Sequence, residues 1–66
     1  MQGILTAELN GQKESKTLQA VDSFDLTMAA ISYILNKAAN SELWAKGHII
    51  LKDRFGKVLK EMPAKV

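Results

Sequence analysis

The chain has no cysteine and only one histidine among its 66 residues. Without cysteine there is no disulfide framework, and one histidine is too few for an all-protein zinc site, so two common supports of small folds are excluded. One proline and four glycines argue against a disordered or low-complexity chain. We therefore expect a fold held together by packing or by association with another copy.

The sequence also lacks a long apolar run and a basic leader at its N-terminus. Its densest apolar stretch, residues 28–35, is interrupted by Ser32 and is too short to cross a bilayer. We expect a cytoplasmic protein with no membrane partner. The length predicts one domain, residues 1–66, with residues 62–66 as a loose C-terminal tail.

No residue pattern points to catalysis. His48 is the only imidazole, and no motif brings it together with an acidic or nucleophilic side chain. Neither GxGxxG nor GxxxxGK[ST], the glycine-rich phosphate-binding motifs, is present. The sequence predicts no enzyme, no cofactor, and no catalytic, cofactor-binding or metal-binding residues.

One stretch, residues 23–39, has the periodicity of an amphipathic helix. Asp22 and Ser23 are candidate N-caps, and Asp25 adds a carboxylate to the first turn, where the helix dipole favours it. The helix should end near residue 39 or 40, although continuation through residues 41–46 remains open. Apolar residues at three- and four-residue steps predict the face that packs on the core: Phe24, Met28, Ile31, Leu35 and Ala38.

Period-two alternation on both sides of the helix predicts strands. In residues 3–9, Leu5, Ala7 and Leu9 share one face, and residues 16–21 alternate in the same way. A two-residue turn at residues 10 and 11 would set Ala7 opposite Glu14 and Leu5 opposite Lys16. The pattern therefore favours a six-residue loop over residues 10–15.

The second hairpin combines HIILKD and KVLKEM around a turn that starts at Asp53 and contains Gly56. A four-residue loop would pair Ile50 with Leu59, and a three-residue loop would pair Leu51 with Leu59. Both registers remain open. The predicted fold is α+β with the order β-β-α-β-β, one central amphipathic helix packed on antiparallel hairpins.

A second helix stripe of smaller residues is a candidate binding surface. It lies roughly opposite the first stripe, and one sheet cannot cover both sides. The stripe is either an interface, which would make the chain a homodimer or higher oligomer, or an ordinary solvent-facing side. Trp44 is either an interface anchor or, more commonly, a lid over the core. The candidate interface residues are Leu26, Ala29, Ala30, Tyr33 and Trp44.

The last hairpin is a candidate nucleic-acid interface. Residues 34–66 carry seven basic and three acidic side chains, whereas residues 1–33 carry two basic and four acidic ones. Cations beside an exposed aromatic ring could bind phosphates and stack on a base, although lysines on strands are also ordinary solubilising residues. The residues of this site would be Lys52, Arg54, Phe55, Lys57 and Lys60.

These patterns favour binding over chemistry. We expect a small, self-associating interaction protein that acts as a regulator or inhibitor on a larger protein, and a phage or mobile element is the base-rate expectation for its origin. A nucleic-acid-binding module that uses the basic hairpin is the alternative.

Overall fold

In the computed structural model, which describes residues 1–65, a four-stranded antiparallel sheet carries two helices on one face. Its strand order is β2-β1-β3-β4. The predicted α+β class and β-β-α-β-β order are confirmed. No helix in the described residues is long and apolar enough to cross a membrane. The elements are β1 (Gln2–Leu9), β2 (Gln12–Gln19), α1 (Ser23–Ala38), α2 (Glu42–Lys46), β3 (His48–Asp53) and β4 (Val58–Met62).

The core lies between the sheet and the two helices. Leu5 and Ala7 face it from β1, as their alternation predicts, and lie opposite Leu51 and Ile49 of β3. Residues 41–46, whose structure the sequence left open, contain the short helix α2, which is separate from α1. The buried apolar side chains are Leu5, Ala7, Leu26, Ala30, Leu43, Trp44, Ile49 and Leu51.

The first hairpin corrects the sequence prediction. Residues 10–15 are not a loop, because Asn10 and Gly11 form a two-residue turn with φ angles of 51° and 86°. The strands pair in the register that the pattern argument rejected, with Ala7 opposite Glu14. β2 is an edge strand with mostly exposed side chains, so charges on its helix-facing side can reach solvent or a polar partner.

α1 has the predicted ends but not the predicted orientation. Asp22 caps it, since its Oδ1 accepts a hydrogen bond from the Asp25 amide at 2.9 Å. However, the inner face of α1, which meets the sheet, contains Leu26 and Ala30, which are 0% and 3% exposed. The predicted core face points to solvent instead, so the assignment of the two helix faces was wrong.

Close approach of α1 to the sheet explains this orientation. A Cβ atom added at Gly3 of β1 would lie 2.7 Å from Leu26 Cδ2, so the leucine side chain occupies space that only glycine leaves free. Ala30 contributes little bulk on the same side. Tyr33 and Ile34 complete the inner face and pack against the buried core.

The second hairpin has the predicted turn chemistry and a mixed register. Asp53 Oδ1 accepts hydrogen bonds from the amides of Phe55 and Lys57 at 2.8 and 2.9 Å, and Gly56 has a φ of 87°. The Asp53 amide donates to the Lys57 carbonyl, as a three-residue loop requires. A bulge then shifts the pairing, so that Leu51 lies opposite Lys60 and neither predicted register holds throughout.

The predicted C-terminal tail begins inside the fold. Met62 is the last residue of β4 and packs against the core. The Lys65 amide donates a hydrogen bond to the Lys46 carbonyl at 2.9 Å, so the backbone stays in contact with the start of β3. Val66 lies outside the described residues.

Candidate protein-binding surface

The side of α1 that points away from the sheet carries an apolar stripe. Its members follow one another at steps of four, three and four residues, which keeps them in line along about three helical turns. Phe24, Met28 and Leu35 are 70%, 48% and 67% exposed, and Ile31 is partly buried. We call Phe24, Met28, Ile31 and Leu35 the outer stripe.

The outer stripe differs from ordinary scattered apolar exposure. Single exposed apolar residues are common on soluble proteins, whereas contiguous apolar patches mark interaction sites. A surface helix normally places its apolar stripe on the core and polar residues outside. α1 has apolar residues on both sides, and its inner face is already occupied by the sheet.

The borders of the outer stripe are almost uncharged. Asp25, Ser32 and Asn36 lie along one border, and all three are exposed. Thr27, Ile34 and Ala38 lie along the other and are partly buried. The second charged residue of α1, Lys37, is on the inner side, with its Nζ 6.0 Å from the centroid of the Tyr33 ring. Asp25 is therefore the one charge of α1 beside the stripe.

The predicted interface residues lie mainly in the core. Leu26, Ala30 and Trp44 are buried within the chain, so their surfaces are not available to a partner. Tyr33 is partly buried, with its ring edge-to-face against Trp44 at a centroid distance of 5.1 Å. Ala29 is also partly buried. The interpretation of Trp44 as a lid over the core agrees with its 1% exposure.

The surface residues that the sequence argument missed are those of the outer stripe. Their three- and four-residue steps correctly predict an apolar helix face, but the prediction that this face packs on the core is wrong. The inner face mixes the small Ala29 and Ala30 with the larger Leu26 and Tyr33, so residue size gave no clear signal of which stripe meets the sheet. Small side chains let a helix approach a sheet closely, and bulk alone does not show which stripe is covered.

The basic hairpin does not form a single cationic surface. Lys60 lies opposite Leu51 on the helix side of the sheet, whereas Lys52 lies opposite Val58 on the other side. At the hairpin tip, the Arg54 guanidinium carbon is 4.7 Å from the centroid of the Phe55 ring. Lys57 follows in the same turn and is exposed. The tip borders a cleft of about 550 Å³ that is also lined by Gln2 and Gln19.

The sheet face away from the helices is largely polar. The Thr6 and Ser15 hydroxyls are 3.2 Å apart, and His48 Nε2 is 2.6 Å from Glu61 Oε2. The only histidine is therefore paired with a carboxylate on an exposed strand. Among residues 1–65, no three histidine, aspartate or glutamate side chains come together in a way that could hold a metal ion.

No protein-family model, curated protein or solved structure matches this chain. Among the described residues, the outer stripe of α1 is the strongest candidate for a functional surface.

Proposed function

We propose that this chain is a small, non-enzymatic interaction protein that acts by binding through the outer stripe of α1. The observation that carries this proposal is the exposure of Phe24, Met28 and Leu35 on a helix whose inner face already packs on the sheet. Water is displaced from these side chains only when another surface covers them. Binding rather than chemistry is therefore the role that the fold supports best.

The spacing of the stripe suits recognition by a groove or by another helix. Anchors at positions i, i+4, i+7 and i+11 are the pattern by which one helix lays its apolar face against a partner. Covering a phenylalanine, leucine or methionine side chain contributes about 1.5–3 kcal/mol. Three such anchors can offset part of the entropic cost of association, so the stripe is large enough to matter energetically.

A small regulator or inhibitor would use this surface to bind another protein molecule. α1 is well suited to present it, because the helix is capped by Asp22 and fixed to the sheet through Leu26 and Ala30. A preorganised helix loses little conformational freedom when it binds.

Affinity capture with matched variants tests the proposal. The tagged wild type, Leu35→Glu and Val58→Glu would be compared in an extract that also contains the untagged chain. Leu35 and Val58 are both exposed apolar residues, but Val58 lies on β4, away from the stripe. We expect a protein that is retained by the wild type and Val58→Glu and lost by Leu35→Glu. Retention of the same proteins by all three would contradict a role for the stripe.

The hairpin tip supports a second candidate function, binding to single-stranded nucleic acid. The favouring observation is the Arg54–Phe55 contact beside the cleft, since Phe55 is 79% exposed and can stack on a base. Fluorescence anisotropy with a mixed-sequence oligonucleotide at several salt concentrations tests it. Affinity should fall with salt and with Phe55→Ala. No binding at low salt would remove this candidate.

A further inference from the structure

We infer that the partner of the outer stripe is a second copy of this chain, with the two α1 helices antiparallel across a two-fold axis. This inference rests on the proposed function and names its partner. It follows from the symmetry of the stripe and of its polar border.

The apolar residues of the stripe are complementary to themselves. Their midpoint lies between Met28 and Ile31, so a two-fold axis there sets Phe24 opposite the partner's Leu35. Met28 then lies opposite the partner's Ile31. Steps of four, three and four residues are those of a helix-pairing seam. Every residue of the stripe thus meets an apolar residue, and none is left facing solvent.

The polar border is also complementary to itself. Asp25, Ser32 and Asn36 lie on the same side of the stripe, and a two-fold axis brings this side against the same side of the partner. Asp25 then lies between the levels of the partner's Ser32 and the partner's Asn36, within roughly two residues or 3 Å along the axis. The Ser32 hydroxyl and the Asn36 amide of one copy can donate hydrogen bonds to the Asp25 carboxylate of the other. Because of the two-fold symmetry, this contact occurs twice in the dimer.

The other border of the outer stripe has no charged side chain that would oppose the contact between the two helices. Thr27, Ile34 and Ala38 carry no charge, and the Thr27 hydroxyl already donates to the Ser23 carbonyl at 2.9 Å. A parallel two-fold arrangement would instead set the polar border of one copy against the partner's border of Thr27, Ile34 and Ala38. Asp25 would then face no free hydrogen-bond donor, because the Thr27 hydroxyl is already engaged, which favours the antiparallel arrangement.

The size of the surface indicates a weak dimer. A helix of 16 residues is about 24 Å long, and stable interfaces bury at least about 1,000 Å² in total. A contact between two such helices lies near that lower limit. We therefore expect a dissociation constant on the order of micromolar, with the mass depending on protein concentration.

Disulfide trapping tests the arrangement, because the chain has no cysteine of its own. Phe24→Cys and Leu35→Cys would each be oxidised alone and as a mixture. We expect cross-linked heterodimers in the mixture and little homodimer from either variant alone. Homodimers from each variant alone, with none of the mixed product, would overturn the antiparallel arrangement. Absence of every cross-linked species, with a monomeric wild type, would overturn the second copy as partner.

Charge variants on the polar border test the same inference in the cysteine-free chain. Ser32→Lys should tighten self-association roughly two- to fivefold through the partner's Asp25, and Ser32→Asp should weaken it to a similar degree. Equal affinities for the two variants would contradict the contact. If the wild type is monomeric but affinity capture still retains another protein through Leu35, this inference fails and the proposed function stands. If capture also shows no dependence on Leu35, both fail.

Discussion

Glu14 of β2 accepts a hydrogen bond from the indole Nε1 of Trp44 in α2 at 2.7 Å, across 30 residues of sequence. Trp44 is 1% exposed, and its one polar atom would be costly to bury without a partner. The bond joins the edge of the sheet to the short helix. It also explains how a carboxylate can lie opposite Ala7 on the helix side of the hairpin.

The bond predicts different effects for two substitutions of Glu14. Glu14→Ala leaves the indole N–H without its acceptor and should lower the free energy of unfolding by about 1–3 kcal/mol. Glu14→Gln keeps an acceptor oxygen and should lower it less. Urea denaturation of the two variants measures the difference. Glu8→Ala is the control, because Glu8 is exposed on the neighbouring strand, and an equal loss in Glu8→Ala and Glu14→Ala would contradict the role of the bond.

This contact shows why the alternation pattern predicted the wrong register for the first hairpin. Alternation identified β1 correctly because Leu5 and Ala7 are buried on its helix side. In the observed register, Glu14 of β2 needs a hydrogen-bonding partner, and that partner, Trp44, lies 30 residues further along the chain. The alternation of apolar and polar residues within β1 and β2 gives no information about such a distant contact. Asn10-Gly11, the strongest local turn signal, gave the correct register.

The sequence also did not show which face of α1 packs on the sheet. The three- and four-residue steps and the Asp22 cap predicted the helix and its ends. The assignment of its faces required knowing that Gly3 leaves room for Leu26, which is a property of the packed structure. The existence of two apolar stripes was therefore predictable, whereas the choice between them was not.

The observed orientation of α1 predicts that leucine-to-alanine substitutions on its two faces have very different effects on stability. Leu26→Ala removes a fully buried side chain and should lower the free energy of unfolding by about 2–5 kcal/mol. Leu35→Ala changes an exposed position and should alter it by no more than about 0.5 kcal/mol at protein concentrations low enough to keep the chain monomeric. Chemical denaturation of both variants measures the contrast. Equal losses would mean that the helix faces are assigned wrongly.

The close approach at Gly3 predicts a coupled effect. Gly3→Ala would place a Cβ atom 2.7 Å from Leu26 Cδ2 and 3.0 Å from the Lys52 carbonyl oxygen, so it should cost about 1–3 kcal/mol. In a Leu26→Ala background, the side-chain part of this clash disappears and the cost of Gly3→Ala should be smaller. A double-mutant cycle by thermal or urea unfolding measures the coupling, and strictly additive losses would argue against the contact.

Sedimentation equilibrium over a range of protein concentrations tests the central claim, that the outer stripe of α1 binds a second copy of this chain. Phe24→Glu and Phe55→Glu form a matched pair, since both phenylalanines are highly exposed, at 70% and 79%, but only Phe24 belongs to the stripe. The wild type and Phe55→Glu should show a reversible monomer–dimer equilibrium, and Phe24→Glu should remain monomeric because it would bury an unpaired carboxylate. Equal self-association of Phe24→Glu and the wild type, or a wild type that is monomeric at every concentration, would contradict the account.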